Sequence, residues 1–143
     1  MKTFSLDEAQ ALLPVLESLL KRAIDARTQA ADIELELQQL ARHVAMTGGA
    51  MVNVVKIARQ RALIEEHIQT VKESLEEMNA IGVQVKDLET GLLDFPCRID
   101  GETVLLCWRM GEDSITHWHT VDSGFRGRQP IDERFRRKTS KPN

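Results

Sequence analysis

Over the first half of the chain, apolar residues recur at alternating spacings of three and four. Leu16, Ala23, Ala30, Leu37 and Val44 repeat every seventh position, and Leu19, Ala26, Ile33 and Leu40 interleave with them. This is the seam of an amphipathic helix with coiled-coil character. Gly48-Gly49 interrupts it. A second seam follows through Val54, Ile57, Arg61, Ile64, Ile68, Val71, Leu75 and Met78, and Gly82 reads as its terminating residue. The two segments are similar in length, about 33 and 31 residues, or about 45–50 Å each at 1.5 Å per residue. Equal amphipathic helices joined by a glycine turn predict a long antiparallel hairpin over 6–81. At its start Ser5-Leu6-Asp7-Glu8 fits a capping box, which places the first helical residue at Leu6. Pro14 lacks an amide hydrogen and crowds the carbonyl four residues earlier, so a short first helix or a kink is expected, ending near Leu12 or Leu13.

After Gly82 the period changes to two. Val83-Gln84-Val85-Lys86, Leu92–Ile99 and Thr103–Arg109 read as strands, and Asp100-Gly101 is a type I′ turn pair. A two-residue loop fixes the register: Ile99 faces Glu102, Cys97 faces Val104, Phe95 faces Leu106 and Leu93 faces Trp108. These residues form the core face, and Asp94 lies opposite Cys107 on the other. Pro96 requires an edge or a bulge. Ile115–His119 reads as a fourth strand. With three or five residues in the loop before it, Ile115, His117 and His119 share the face of Asp94 and Cys107; with two or four they join the core face.

The expectation is therefore an α+β fold, a long antiparallel two-helix hairpin packed with a three- to four-stranded antiparallel sheet. A single domain spans 1–131, with the hairpin over 6–81, the sheet over 82–120 and a Gly/Arg loop over 121–131. Ile24, Leu35, Val52, Val55 and Leu63 lie off the helical seams. Two helices cannot cover such surface on all sides, so a homodimer through the helices is expected. The 143 residues lack an apolar run long enough for a membrane span and lack a secretory leader, and Cys97 and Cys107 are their two cysteines. That combination points to a cytoplasmic protein with reduced thiols. Net charge is −3 over 1–80, −3 over 81–131 and +3 over 132–143. The basic end carries a single aromatic, Phe135, and reads as a disordered, solvated tail rather than a nucleic-acid arm.

The stretches Gly82–Pro96, Cys107-Trp-Arg-Met-Gly-Glu112 and Trp118–Ile131 resemble the prokaryotic domain-of-unknown-function family 2203, as do Phe4, Ala9 and Leu13-Pro14 near the start. The resemblance spans about residues 4–131. It implies a small bacterial protein of unassigned activity. Among the matching positions, Lys86, Asp87, Asp94, Glu112, His119, Arg126 and Arg128 are the candidates for function; the resemblance does not extend to His117.

Several chemistries fit the residues. His117-x-His119 on a strand puts both imidazoles on one side, a spacing used in zinc sites. Asp94, Glu112 or Asp122 could add a carboxylate and Cys107 a thiolate, so a divalent site for zinc, manganese or iron is one reading. A hydrolytic reading uses Cys107 as nucleophile, a histidine as base and Asp94 as orienter. Ser123-Gly-Phe-Arg-Gly-Arg-Gln129 could converge backbone amides with Arg126 and Arg128 on an anion. A di-iron bundle is excluded, because neither His43 nor His67 has a glutamate three residues before it. Met46-Thr47-Gly48-Gly49 lacks the ending of a phosphate loop. The leading reading is a small binding or protein-interaction module, with a metal-binding protein or metal-dependent enzyme as the alternative.

Overall fold

The computed structural model describes residues 2–48 and 53–139. The elements run α1 (Leu6–Thr47), α2 (Val54–Ile81), β1 (Gln84–Asp87), β2 (Leu92–Ile99), β3 (Glu102–Arg109), β4 (His117–Thr120), a 3₁₀ turn (Phe125–Gly127), β5 (Gln129–Pro130) and α3 (Glu133–Thr139). The fold is α+β, and the strands form one antiparallel meander in sequence order. It has five strands rather than three or four. The added one, β5, is only Gln129-Pro130, and a two-residue strand containing proline leaves no alternating signature. The chain divides into two units, Met1–Leu20 with Leu75–Asn143, and Lys21–Ser74.

In the first unit the capping box forms as expected. The Glu8 amide donates to Ser5 Oγ at 3.1 Å and the Ser5 amide donates to Glu8 Oε1 at 2.8 Å. Pro14, however, does not end the helix; α1 continues through it. Leu13, Leu16 and Leu20, on both sides of the proline, are buried in one core with Phe95, Leu106 and Trp108. Burying each such side chain contributes about 1.5–3 kcal/mol, enough together to offset the hydrogen bond that proline removes. Gly82, at φ 109°, closes α2, its amide donating to the carbonyls of Met78 and Asn79.

Asp100 and Gly101 both have positive φ, 51° and 79°, as a type I′ turn demands. The register of β2 on β3 is the expected one throughout. Leu93, Phe95, Cys97, Ile99, Val104, Leu106 and Trp108 are all buried. Pro96 sits in a strand paired on both sides, yet costs no rung. On one side, β1 pairs no further along β2 than Asp94, and there the Phe4 amide donates to the Pro96 carbonyl at 2.7 Å. Strand β4 begins at His117 instead of Ile115. The Ile115 amide donates to Gln10 Oε1 at 2.7 Å and its side chain enters the core, so Ile115 is held to α1 and not to the ladder.

The expected disordered tail is corrected over 132–139. Asp132 Oδ1 accepts from the Arg134 amide, α3 follows, and Phe135 is completely buried with its ring 5.5 Å from that of Trp118. One aromatic side chain is sufficient to anchor a seven-residue helix whose remaining residues are mostly charged. Residues 140–143 lie outside the described ones.

In the second unit, Ala23, Ala26 and Ser74 are the buried residues among those described. The seam residues Ala30, Ile33, Leu37, Leu40 and Val44 are half-buried. On α2 the half-buried row is Ile57, Gln60, Ile64, His67, Thr70 and Val71. Arg61 and Ile68, expected on the seam, are exposed. Gln60 turns inward because its side-chain amide donates to Glu36 Oε2 across the hairpin at 3.0 Å. Gly48 adopts the left-handed conformation expected of a turn glycine; Gly49 and Val52 lie outside the described residues. Asn53 caps α2, accepting from the Lys56 amide.

Candidate metal centre

Strand β3 pairs with β2 on one side and β4 on the other. Asp94 and His117 both lie opposite Cys107, and His119 lies opposite Leu105. The odd alternative for β4 is therefore realised for the histidines, which share the face of Asp94 and Cys107 while Trp118 turns to the core; Ile115, expected on the histidines' face, enters the core because it precedes the paired strand. Side chains from the two outer strands meet over β3, where cysteine is short enough to leave room. His119 Nε2 lies 3.1 Å from Asp94 Oδ2, with each side chain 3% exposed. One ligand atom from each of Asp94, Cys107 and His119 falls within 4.8 Å of the other two.

The protons on this group are constrained. His119 Nδ1 lies 2.7 Å from the Thr120 carbonyl oxygen. A carbonyl only accepts, so Nδ1 carries a hydrogen. In the neutral ring Nε2 is then a bare lone pair, and it faces a carboxylate oxygen, which is also an acceptor. Asp94 Oδ1 is buried and has no hydrogen-bond partner. Cys107 differs from an activated nucleophile: burial, reinforced by the charge of Asp94, pushes its thiol up to about 11. That disfavours the free thiolate which the hydrolytic reading requires. Burial likewise pushes Cys97, on the core face, up to about 11.

The other sequence candidates are placed differently. Glu112 supports the β3–β4 loop. Its Oε1 accepts from the Arg109 amide, its Oε2 from Arg128 Nη2 at 3.0 Å, and its carbonyl from the Trp108 indole. Arg128 stacks on Phe125, 4.6 Å from the ring centroid, and its Nε is buried without a partner. Arg126 is exposed on the 3₁₀ turn. His117 is half-buried and pairs through Nδ1 with Thr116 Oγ1. Lys86 and Asp122 are exposed, and Asp87 accepts from the Glu89 amide to cap a turn. Of the four metal candidates, Asp94 and His119 come together, and Glu112 and His117 stay outside the cluster. The Thr120 carbonyl that orients His119 was not foreseeable, because a backbone acceptor carries no residue signal. Phe125, beneath two arginines, was legible only as an aromatic in a Gly/Arg loop.

No helix among the described residues is long and apolar enough to cross a membrane. No curated protein and no solved structure matches the chain. A family model described as "Uncharacterized conserved protein (DUF2203)" matches residues 2–131, nearly the whole chain, which confirms the resemblance read from Gly82–Pro96, Cys107–Glu112 and Trp118–Ile131. The chain belongs to the DUF2203 family.

Proposed function

We propose that this protein binds one divalent transition metal through Asp94, Cys107 and His119. The observation that carries the reading is the convergence of three buried ligand atoms: His119 Nε2 and Asp94 Oδ2 lie 3.1 Å apart, and Cys107 Sγ falls within the same 4.8 Å group. A proton on Nε2 would make a buried imidazolium–carboxylate pair, whose desolvation cost is repaid in full only when the remaining lone pairs are satisfied. Asp94 Oδ1 is not. A cation shared by the imidazole and carboxylate removes the repulsion, and the Thr120 carbonyl then acts as the acceptor that fixes the tautomer of a ligating histidine. A nitrogen, oxygen and sulfur set favours zinc, or iron(II), over manganese. Three protein ligands leave a fourth tetrahedral position for water or a small ligand.

Elemental analysis of the untagged protein, followed by zinc titration of the chelator-treated sample, tests this. The expected result is one zinc per chain in the wild type and none in His119→Gln or Cys107→Ser. Protein purified without metal and taking up zinc or iron(II) no more tightly than about 100 µM, or about 5.5 kcal/mol, contradicts it.

A second reading, a protein-interaction module, is favoured by a different observation. The hairpin unit leaves Leu35, Val54, Val55, Leu63 and Ile68 exposed.

A further inference from the structure

We propose that the hairpin unit packs against a second copy of the chain, antiparallel, along the α1 face that carries Arg22, Gln29 and Glu36. The proposal rests on the helices alone and is independent of the metal reading. Two observations support it.

The unit lacks a core of its own. Beyond Ala26 on α1 and before Ser74 on α2, none of its described residues is buried. An open groove of about 370 Å³ lies between the helices, lined by residues that include Leu40, Ile57, Glu36 and Gln60. Two helices make a single layer, and a layer buries its apolar stripe only against another.

The charge pattern selects a second copy over a charged partner. Residues 21–74 carry eight Lys/Arg and seven Asp/Glu, so the unit presents no strong field of one sign to a nucleic acid or an acidic peptide. Along α1, Arg22, Gln29 and Glu36 each precede a seam residue (Ala23, Ala30, Leu37), are exposed, and share one heptad position. Opposite charges stand equally far on either side of Gln29. A two-fold axis at Gln29 that runs α1 antiparallel to its copy sets Arg22 beside the copy's Glu36, and by symmetry does so twice.

Sedimentation equilibrium of the full chain tests this with three charge variants: Arg22→Glu, Glu36→Arg, and the two combined. Circular dichroism establishes that each is folded. The wild type is expected to be a dimer at low micromolar concentration. Each single variant replaces two attractive contacts with two repulsive ones and should dissociate at least about tenfold more readily. The combined variant restores both pairs and should recover the wild-type affinity. A wild type that is monomeric at about 100 µM overturns the proposal, leaving the face to another protein or to solvent. A dimer indifferent to all three variants overturns the placement of the interface on this face.

Discussion

The sheet unit and the hairpin unit both rest on regular apolar patterns, one of period two and one of alternating three and four. They bury those patterns to very different degrees. In the sheet unit, every residue of the inner β2–β3 face is at most 5% exposed. In the hairpin unit the seam is half-exposed for most of its length. The difference lies in geometry. A sheet offers one broad face, and a single pair of helix ends, a loop and α3 can cover it. Each helix of a lone pair covers only the strip facing its neighbour. A pattern of apolar positions therefore reports where a surface wants cover and not whether the same chain supplies it. The polar residues follow the same contrast. In the sheet unit Asp94 and His119 are buried with fixed partners, whereas the charges of the hairpin remain in solvent.

The largest expected effect comes from Phe135. Phe135→Ala should cost about 3–5 kcal/mol and lower Tm by on the order of 10 °C, measured by calorimetry. A fall of only a degree or two would show that α3 does not belong to the sheet core. Metal comes next. Zinc at a hundredfold excess over its Kd should stabilise the chelator-treated protein by about 2.7 kcal/mol, and EDTA should reverse the gain. If zinc leaves the melting curve unmoved, the sheet face is a polar cluster with no ion.

Proton linkage sharpens the metal reading. A Cys107 thiol held near 11 must lose its proton on ligation, so zinc affinity should rise about tenfold per pH unit between pH 7 and 9. A flat profile in titration calorimetry would remove Cys107 from the ligand set. In the metal-free protein the sign is opposite. Both thiols are raised from 9.0 to about 11, so their contribution to stability is complete below pH 9 and is lost as pH climbs toward 11.

The smallest effects discriminate most finely. Metal-free Asp94→Asn should be at least as stable as the metal-free wild type, since an amide hydrogen then points at His119 Nε2. A buried ion pair predicts instead a loss of about 3–5 kcal/mol. In the hairpin unit, Leu35→Ala should change stability by no more than about 0.5 kcal/mol, as expected of an exposed position.

The sequence made the fold legible wherever a local rule has one solution. Ser5 and Glu8 define the helix start, Asp100-Gly101 defines the hairpin register, and that register places Asp94 opposite Cys107. It was illegible where distant packing decides. Pro14 is tolerated because leucines on both sides of it share one core. Phe135 gains a partner in Trp118, which only the folded sheet presents. The site divides the same way. Asp94 and His119 could be named as candidates, but the orientation of β4 turns on the parity of a loop. Glu112 was drawn into the metal set by its charge, whereas Arg128 and the Arg109 amide already occupy its oxygens.

Cobalt(II) substitution tests the metal centre most directly, because the spectrum reports ligand identity as well as binding. The wild type should take up one cobalt per chain, with a thiolate-to-metal charge-transfer band and the intense visible bands of a four-coordinate ion. Cys107→Ser should lose the charge-transfer band, and His119→Gln should lose binding. A wild-type spectrum no different from that of hydrated cobalt, at protein concentrations of about 100 µM, would contradict the assignment of Asp94, Cys107 and His119 as a metal centre.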